Sequence, residues 1–183
     1  MFILPEPNHH PLENVPLHSQ TDAPRIAEIA RQIAAFVPVY CQGNRTLVLL
    51  SEGRMFYLPH RAQWVRDALL RHFAISQRDL RRACEEDLNR SLFAPLVIPA
   101  EGLAYAQLRV RTPIGRNDGA QGFFRIDAIR GVRATNPDET AVQMADGIEF
   151  MVRMSRPKVV ERVLAARSAL ILQQARGVAY PRF

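Results

Sequence analysis

The chain has 183 residues, 48% of them hydrophobic, enough for one full domain with a core. Its two cysteines, Cys41 and Cys84, lie far apart, which speaks against a disulfide framework or a zinc site. No apolar run reaches membrane-spanning length, and the start MFILPEPNHHP lacks the basic and apolar stretches of a signal peptide, so the reading is a cytoplasmic protein with no membrane contact.

The net charge of +6 is unevenly spread. Residues 1–24 carry Glu6, Glu13 and Asp22 and no cation, so the body beyond them stands at +9. A basic body suits an anionic partner. Of the 24 cationic residues all but Lys158 are arginine, a bias that genome composition alone can produce.

Residues 1–22 read as an extended, proline-rich acidic arm, because proline fixes φ and lacks an amide donor. His9, His10 and His18 fall in it without cysteine or carboxylate at ligand spacing, so neither metal nor cofactor is expected. Asp22 caps an expected helix over 23–36, with Pro24 in its first turn and Ile26, Ile29, Ile33 and Val37 at helical spacing. RTLVLL (45–50) and RMFYL (54–58) flank SEG as a hairpin. A helix follows over 61–73. Another opens at Ser76, with Asp79 three residues on, and places Leu80, Ala83, Cys84 and Leu88 on one face. Its other face pairs Arg81 with Glu85 and Arg82 with Glu86.

From Ala94 the pattern is β. Strands are expected at 94–98, 105–111 and 123–133. A hairpin turns at Asp146-Gly147 between Val142, Met144 and Ile148, Phe150, the dipeptide favouring a type I′ turn. Ser155 then caps a last helix over 156–175. Helices and strands are segregated, so the expected class is α+β with antiparallel sheets. The organisation is an arm (1–22), an α+β N-terminal part of one helix, a hairpin and two helices (23–92), and a β-rich part closed by a helix (93–183).

Enzyme signatures are missing: there is no GxSxG, GxxxxGK[ST] or HExxH. GRNDGAQG joins two strands instead of opening a helix, which fails the context of a dinucleotide site. Asp118 and Asp127, a conceivable carboxylate pair, each sit among arginines. The expectation is a protein that is not an enzyme.

Between Leu108 and Arg133 six arginines stand against Asp118 and Asp127. Alternation projects Arg109 and Arg111 from one face and turns Arg125 away from the core. Arg153, Arg156 and Lys158 form a second cluster at the start of the last helix, where free amides and the dipole attract phosphate. Arginines so placed can grip phosphates or read guanine edges; charge on sheet edges also prevents aggregation, and physics alone leaves both readings open.

FFRIDAIRGV followed by TAVQMADGIEFMVRMSRPKVVERV resembles the C-terminal part of LytTR-type DNA-binding domains, with LRVRTP, RIDAI, DG and SR in that family's slots. The span 55–169 also resembles the ComK family of bacterial competence transcription factors, through MFYL, SQRDLR, APLVI, the hairpin and the closing helix. The resemblance implies a sequence-specific regulator of transcription on double-stranded DNA, acting as an oligomer and regulated through a proteolytic adaptor. It carries key contacts onto Arg111 and its neighbours and onto Arg156. The loop from Arg111 to Phe123 is longer than the LytTR form, and Arg125 stands where an asparagine is expected. The contact set expected is Arg109, Arg111, Arg116, Asn117, Arg125, Arg153, Arg156 and Lys158. Two other readings use the same residues: an RNA- or single-strand-binding module stacking bases on Phe123, Phe124 and Tyr105, or a non-catalytic ligand-sensing or scaffold protein.

Overall fold

The computed structural model describes residues 2–3, 12–89, 93–115 and 118–179. The first half contains β1 (Phe2–Ile3), α1 (Ile26–Ile29), β2 (Ile33–Tyr40), β3 (Asn44–Leu50), β4 (Met55–Leu58), α2 (Ala62–His72) and α3 (Gln77–Leu88). The second contains β5 (Leu96–Ile98), β6 (Leu103–Arg109), β7 (Gln121–Arg125), β8 (Ile129–Asn136), β9 (Glu139–Met144), β10 (Glu149–Val152) and α4 (Arg156–Ala179). The class is α+β, closed by a C-terminal helix.

Two sheets form. The larger runs β4-β3-β2-β7-β6-β5 with every neighbour antiparallel. It takes three strands from before residue 93 and three from after, so the expected boundary at 92/93 falls inside one sheet. The smaller runs β1-β10-β9-β8, antiparallel except for β1 on β10.

The expected helix over 23–36 is a single turn, α1, and the chain is extended from Ile33 onward. Every residue from Ile33 to Val39 is buried. Burial on both faces marks a central strand, and the β-branched Val37 and Val39 fit a pleated surface. The helical spacing holds only for Ile26 and Ile29; Ile33 and Val37 are separated by Ala34, Ala35 and Phe36, all apolar, so their spacing marks no helix face. Pro38 is tolerated because β7 pairs only Ala35 and Phe36, so its missing donor leaves no ladder bond unmade.

The centre of this sheet is tightly packed. Phe36 stacks on Phe123 with ring centroids 4.5 Å apart. A Cβ at Gly122 would lie 2.7 Å from the side chain of Val37, so only glycine allows β2 and β7 to approach as they do.

The strand expected over 123–133 is broken. Ile126–Ala128 form one 3-10 turn, and β7 belongs to the larger sheet while β8 belongs to the smaller. Ile126 and Ala128 are buried within the turn, so apolar alternation runs through the corner and hides it from the sequence. At the expected Asp-Gly hairpin, β9 and β10 pair, but residues 145–147 make a three-residue 3-10 connection in which Gly147 takes φ +70°, closed by Met144 N–H donating to the Ile148 carbonyl. A helical turn followed by one left-handed residue is the usual alternative to the two-residue form.

Other expectations hold. Asn44–Leu50 and Met55–Leu58 pair as a hairpin. Ser76 caps α3, its hydroxyl accepting from the Asp79 amide, and Leu80 and Cys84 are buried on its inner face. Of the two ion pairs expected along α3, Arg82–Glu86 forms at 3.0 Å, while Arg81 and Glu85 do not pair.

The arm is built into the fold where it is described. Leu17 bridges Tyr57 in parallel, Tyr57 N–H donates to the Pro16 carbonyl, and His18 N–H donates back to Tyr57. The Leu12 amide donates to the Tyr57 hydroxyl at 3.1 Å. This stretch therefore covers the outer edge of β4. Removing residues 1–22 should expose that edge and cost about 2–4 kcal/mol for the lost hydrogen bonds and burial, lowering Tm by roughly 5–10 °C. Calorimetry of the truncated chain checks this; an unchanged Tm would contradict it.

α4 packs on β5 and β6 of the larger sheet and on β8 and β9 of the smaller, burying Val159, Ala166 and Ala169 completely. Its first turn thus lies where the two sheets meet, which positions the site. No described helix is long and apolar enough to cross a membrane.

Candidate nucleic-acid interface

The two sheets are joined at the ends of β6 and β10. Arg153 N–H donates to the Arg109 carbonyl at 2.7 Å, and Arg109 Nε donates back to the Arg153 carbonyl at 3.1 Å. The Arg109 amide also lies 3.1 Å from Met154 Sδ. These contacts place Arg109 and Arg153 side by side, just before α4 begins.

Lys158 and Arg162 join them from α4. The four cations line one cavity of about 260 Å³, together with Ser155 and Asp138. Arg162 Nη1 donates to the Gln107 carbonyl at 2.8 Å, and its guanidinium lies 4.2 Å from the centroid of the Phe93 ring. The lining holds four cationic side chains and one carboxylate, so its potential favours an anion. The first turn of α4 adds amides without intrahelical partners, apart from Pro157, and the positive end of the helix dipole. Such a cavity can hold a phosphate or carboxylate group.

The arginines expected to act together divide into two kinds. Arg109, Arg153 and Lys158 converge on the cavity. Arg111 does not. It is 2% exposed, donates from Nε to the Gly119 carbonyl at 2.8 Å and from Nη2 to Asn44 Oδ1 at 2.6 Å, and stacks 3.8 Å from the Tyr40 ring centroid. Burial pushes its pKa down. It closes the loop after β6 from inside, so its expected place on the solvent face is corrected. Strand alternation ends at Arg109, and Arg111 follows a change of direction that alternation cannot foresee.

Arg125 is likewise turned inward. Its side chain is 11% exposed, pairs with Asp127 at 2.6 Å and donates to the carbonyls of Arg31 and Ile33. It clamps the corner between β7 and the 3-10 turn onto the start of β2. Arg156 is exposed but off the cavity, donating from Nε to the Val132 carbonyl of β8 at 3.1 Å. Arg116 and Asn117 lie outside the described residues. Arg162 was missed, although it follows Lys158 by four residues and so shares its helix face, the one signal that could have found it.

Asp118 and Asp127 stand beyond opposite ends of β7 and form no pair. Asp118 accepts from the Tyr40 hydroxyl at 2.6 Å, from the Gly115 amide at 2.7 Å and from the Asn44 side-chain amide. The Ile114 amide in turn donates to the Tyr40 hydroxyl. These contacts, the Tyr40 hydroxyl foremost, hold the Asp118 carboxyl at about 2, below its ordinary 3.8. The folded-state value is the lower one, so this anchoring is complete above about pH 4 and is lost as pH falls towards 2. An NMR titration of the Asp118 carboxyl should show a midpoint near about 2, and Asp118→Asn should loosen the 112–115 loop at neutral pH. A midpoint at the ordinary value would refute the clamp.

Tyr105, Phe123 and Phe124, the aromatics considered for base stacking, are buried within the larger sheet. Both thiols are buried, and burial raises the Cys84 thiol to about 11. Among the described residues no group of His, Cys, Asp and Glu is arranged to hold a metal ion.

No family model, no curated protein and no solved structure matches this chain.

Proposed function

We propose that the chain is a sequence-specific, double-stranded DNA-binding regulator of transcription of the ComK/LytTR type, which meets the phosphate backbone through Arg109, Arg153, Lys158 and Arg162. One observation carries the reading: four cations, from β6, the β10–α4 connection and α4, line one cavity beside the start of a long helix, at the junction of two sheets. The resemblance of the sequence to ComK and LytTR proteins supports it, because the Ser155-Arg156 start of α4 is the family slot beside which the cluster lies. Arg156, bonded to the Val132 carbonyl, and the exposed Arg130 of β8 add positive charge outside the cavity. The oligomer that the resemblance implies has apolar surface to use, since Leu164 and Ile171 on α4 are 54% and 59% exposed.

Selection of bound duplexes from a random pool, followed by titration at two salt concentrations, tests the proposal. Neutralising about four phosphates predicts a fall in affinity of roughly 100-fold between 50 and 200 mM salt. A duplex preference over single strands of the same sequence is expected. Equal affinity for both, or no enrichment of any motif, would remove the claim of sequence-specific duplex binding.

A further inference from the structure

A second cavity, of about 280 Å³, shares a wall with the cationic one. Its floor is apolar: Leu70 of α2, Leu80 of α3 and Leu96 of β5 line it, and all three are buried in the core. Its rim is cationic, with Arg66 from α2 and Arg81 from the first turns of α3. Arg66 is already paired with Asp67, at 2.8 Å. Arg81 is exposed and has no ion pair among the described residues, since the pairing along α3 is made by Arg82. Gln77, the first residue of α3, lines the cavity with Leu80 and Arg81, so one side face of this helix forms its wall. An apolar floor below two guanidinium groups complements one kind of ligand: a short apolar body ending in a carboxylate. The volume accommodates about ten heavy atoms.

The shared wall is Phe93. Its backbone takes φ +57°, a left-handed conformation that is strained for an aromatic residue, and the residue is 46% exposed. It lines both cavities, with the Arg162 guanidinium stacked over it. A ligand body packed on this ring would bury its exposed area and hold it under Arg162.

We propose that this cavity binds a small amphipathic carboxylate, its apolar part on Leu80, Leu96 and Phe93 and its carboxylate at Arg81 and Arg66, and that occupancy fixes the Phe93–Arg162 stack and so tightens anion binding in the adjoining cavity. The second half rests on the assignment of that adjoining cavity as the duplex contact. The coupling is reciprocal, so duplex tightens the carboxylate by the same factor.

The probe is 4-fluorophenylacetate, titrated by fluorine NMR onto the full chain without DNA. Saturable binding with a Kd on the order of 1 mM is expected for a ligand of this size. Arg81→Glu should weaken it at least about five-fold, and Ala94→Phe, which fills the cavity from its wall, should abolish it. The neutral analogue 2-(4-fluorophenyl)ethanol should bind more weakly than the acid. Absence of saturable binding to the wild-type chain overturns the site, and equal binding by the acid and the alcohol, or by wild type and Arg81→Glu, overturns the carboxylate assignment. Saturating probe should then raise duplex affinity about five-fold, and no change overturns the coupling. If the wild-type chain binds no duplex, the proposed function fails while the cavity stands or falls on the fluorine titration. The coupling is then read from inorganic phosphate affinity and from the Arg162 Nε–H resonance, and if neither responds to the probe the coupling is overturned.

Discussion

Replacing Arg153 and Lys158 together by glutamate is expected to weaken duplex binding by at least about 100-fold at moderate salt, with Tm changed by less than about 2 °C. Both side chains face the cavity, and Lys158 is exposed. The structural work of Arg153 is done by its backbone, whose N–H and carbonyl both bond to Arg109, and glutamate preserves those groups. The change therefore acts on charge and leaves the junction of the sheets intact. Two cations become two anions beside Asp138, so the cavity turns from net attractive to net repulsive for phosphate. Single alanine substitutions at Lys158 or Arg153 should each lower the slope of log affinity against log salt by about 0.9. Arg156→Ala should have a smaller effect, because Arg156 lies off the cavity and spends one donor on Val132. Fluorescence anisotropy across a salt series, with calorimetry of each variant, measures all of this. Undiminished binding by the double variant would place the interface elsewhere.

Arg111→Ala should do the reverse, lowering stability by about 3 kcal/mol, or roughly 6–12 °C in Tm, before any effect on binding is considered. The guanidinium is enclosed and bonded to the Gly119 carbonyl and Asn44, with Tyr40 against its face. Its removal leaves a cavity and strands a buried carbonyl and a side-chain oxygen without their donor. Arg111→Lys should recover little, since an ammonium supplies neither the planar stack nor the paired donors. Arg111 Nη1 has no hydrogen-bond partner among the described residues, so Nε and Nη2 carry the network and the loss of either falls on it directly. Loss of duplex binding at an unchanged Tm would make Arg111 a contact residue and overturn this assignment.

Arg109 and Arg111 show why the candidate site was half legible. Period-two alternation treats them as equivalent, two residues apart on one face. The structure separates them because β6 ends at Arg109 and the chain then folds back to bring Gly119 beside Arg111. Arg125 was misplaced for a related reason: its strand meets a 3-10 corner at Ile126, and the partners that bury it, the carbonyls of Arg31 and Ile33, come from more than ninety residues earlier. The convergence of Arg153 with Arg109 depends on a join between two sheets, which leaves no periodic trace.

Elements whose stability is settled within a few residues were determined by the sequence itself. The Ser76 cap, the 44–58 hairpin, the β9–β10 hairpin and the closing helix depend on side-chain oxygens meeting nearby amides, on glycine at positive φ and on faces repeating every two or every 3.6 residues. Segregation of helices from strands likewise implied the α+β class. Tertiary structure alone decided that 33–40 is a central strand, that 123–133 turns a corner between sheets, and which arginines meet solvent. An arginine is neutralised or exposed by whatever the fold brings to its guanidinium. Those partners are the Gly119 carbonyl and the distant Asn44 side chain for Arg111, distant carbonyls for Arg125, and an open cavity for Arg109, Arg153 and Lys158.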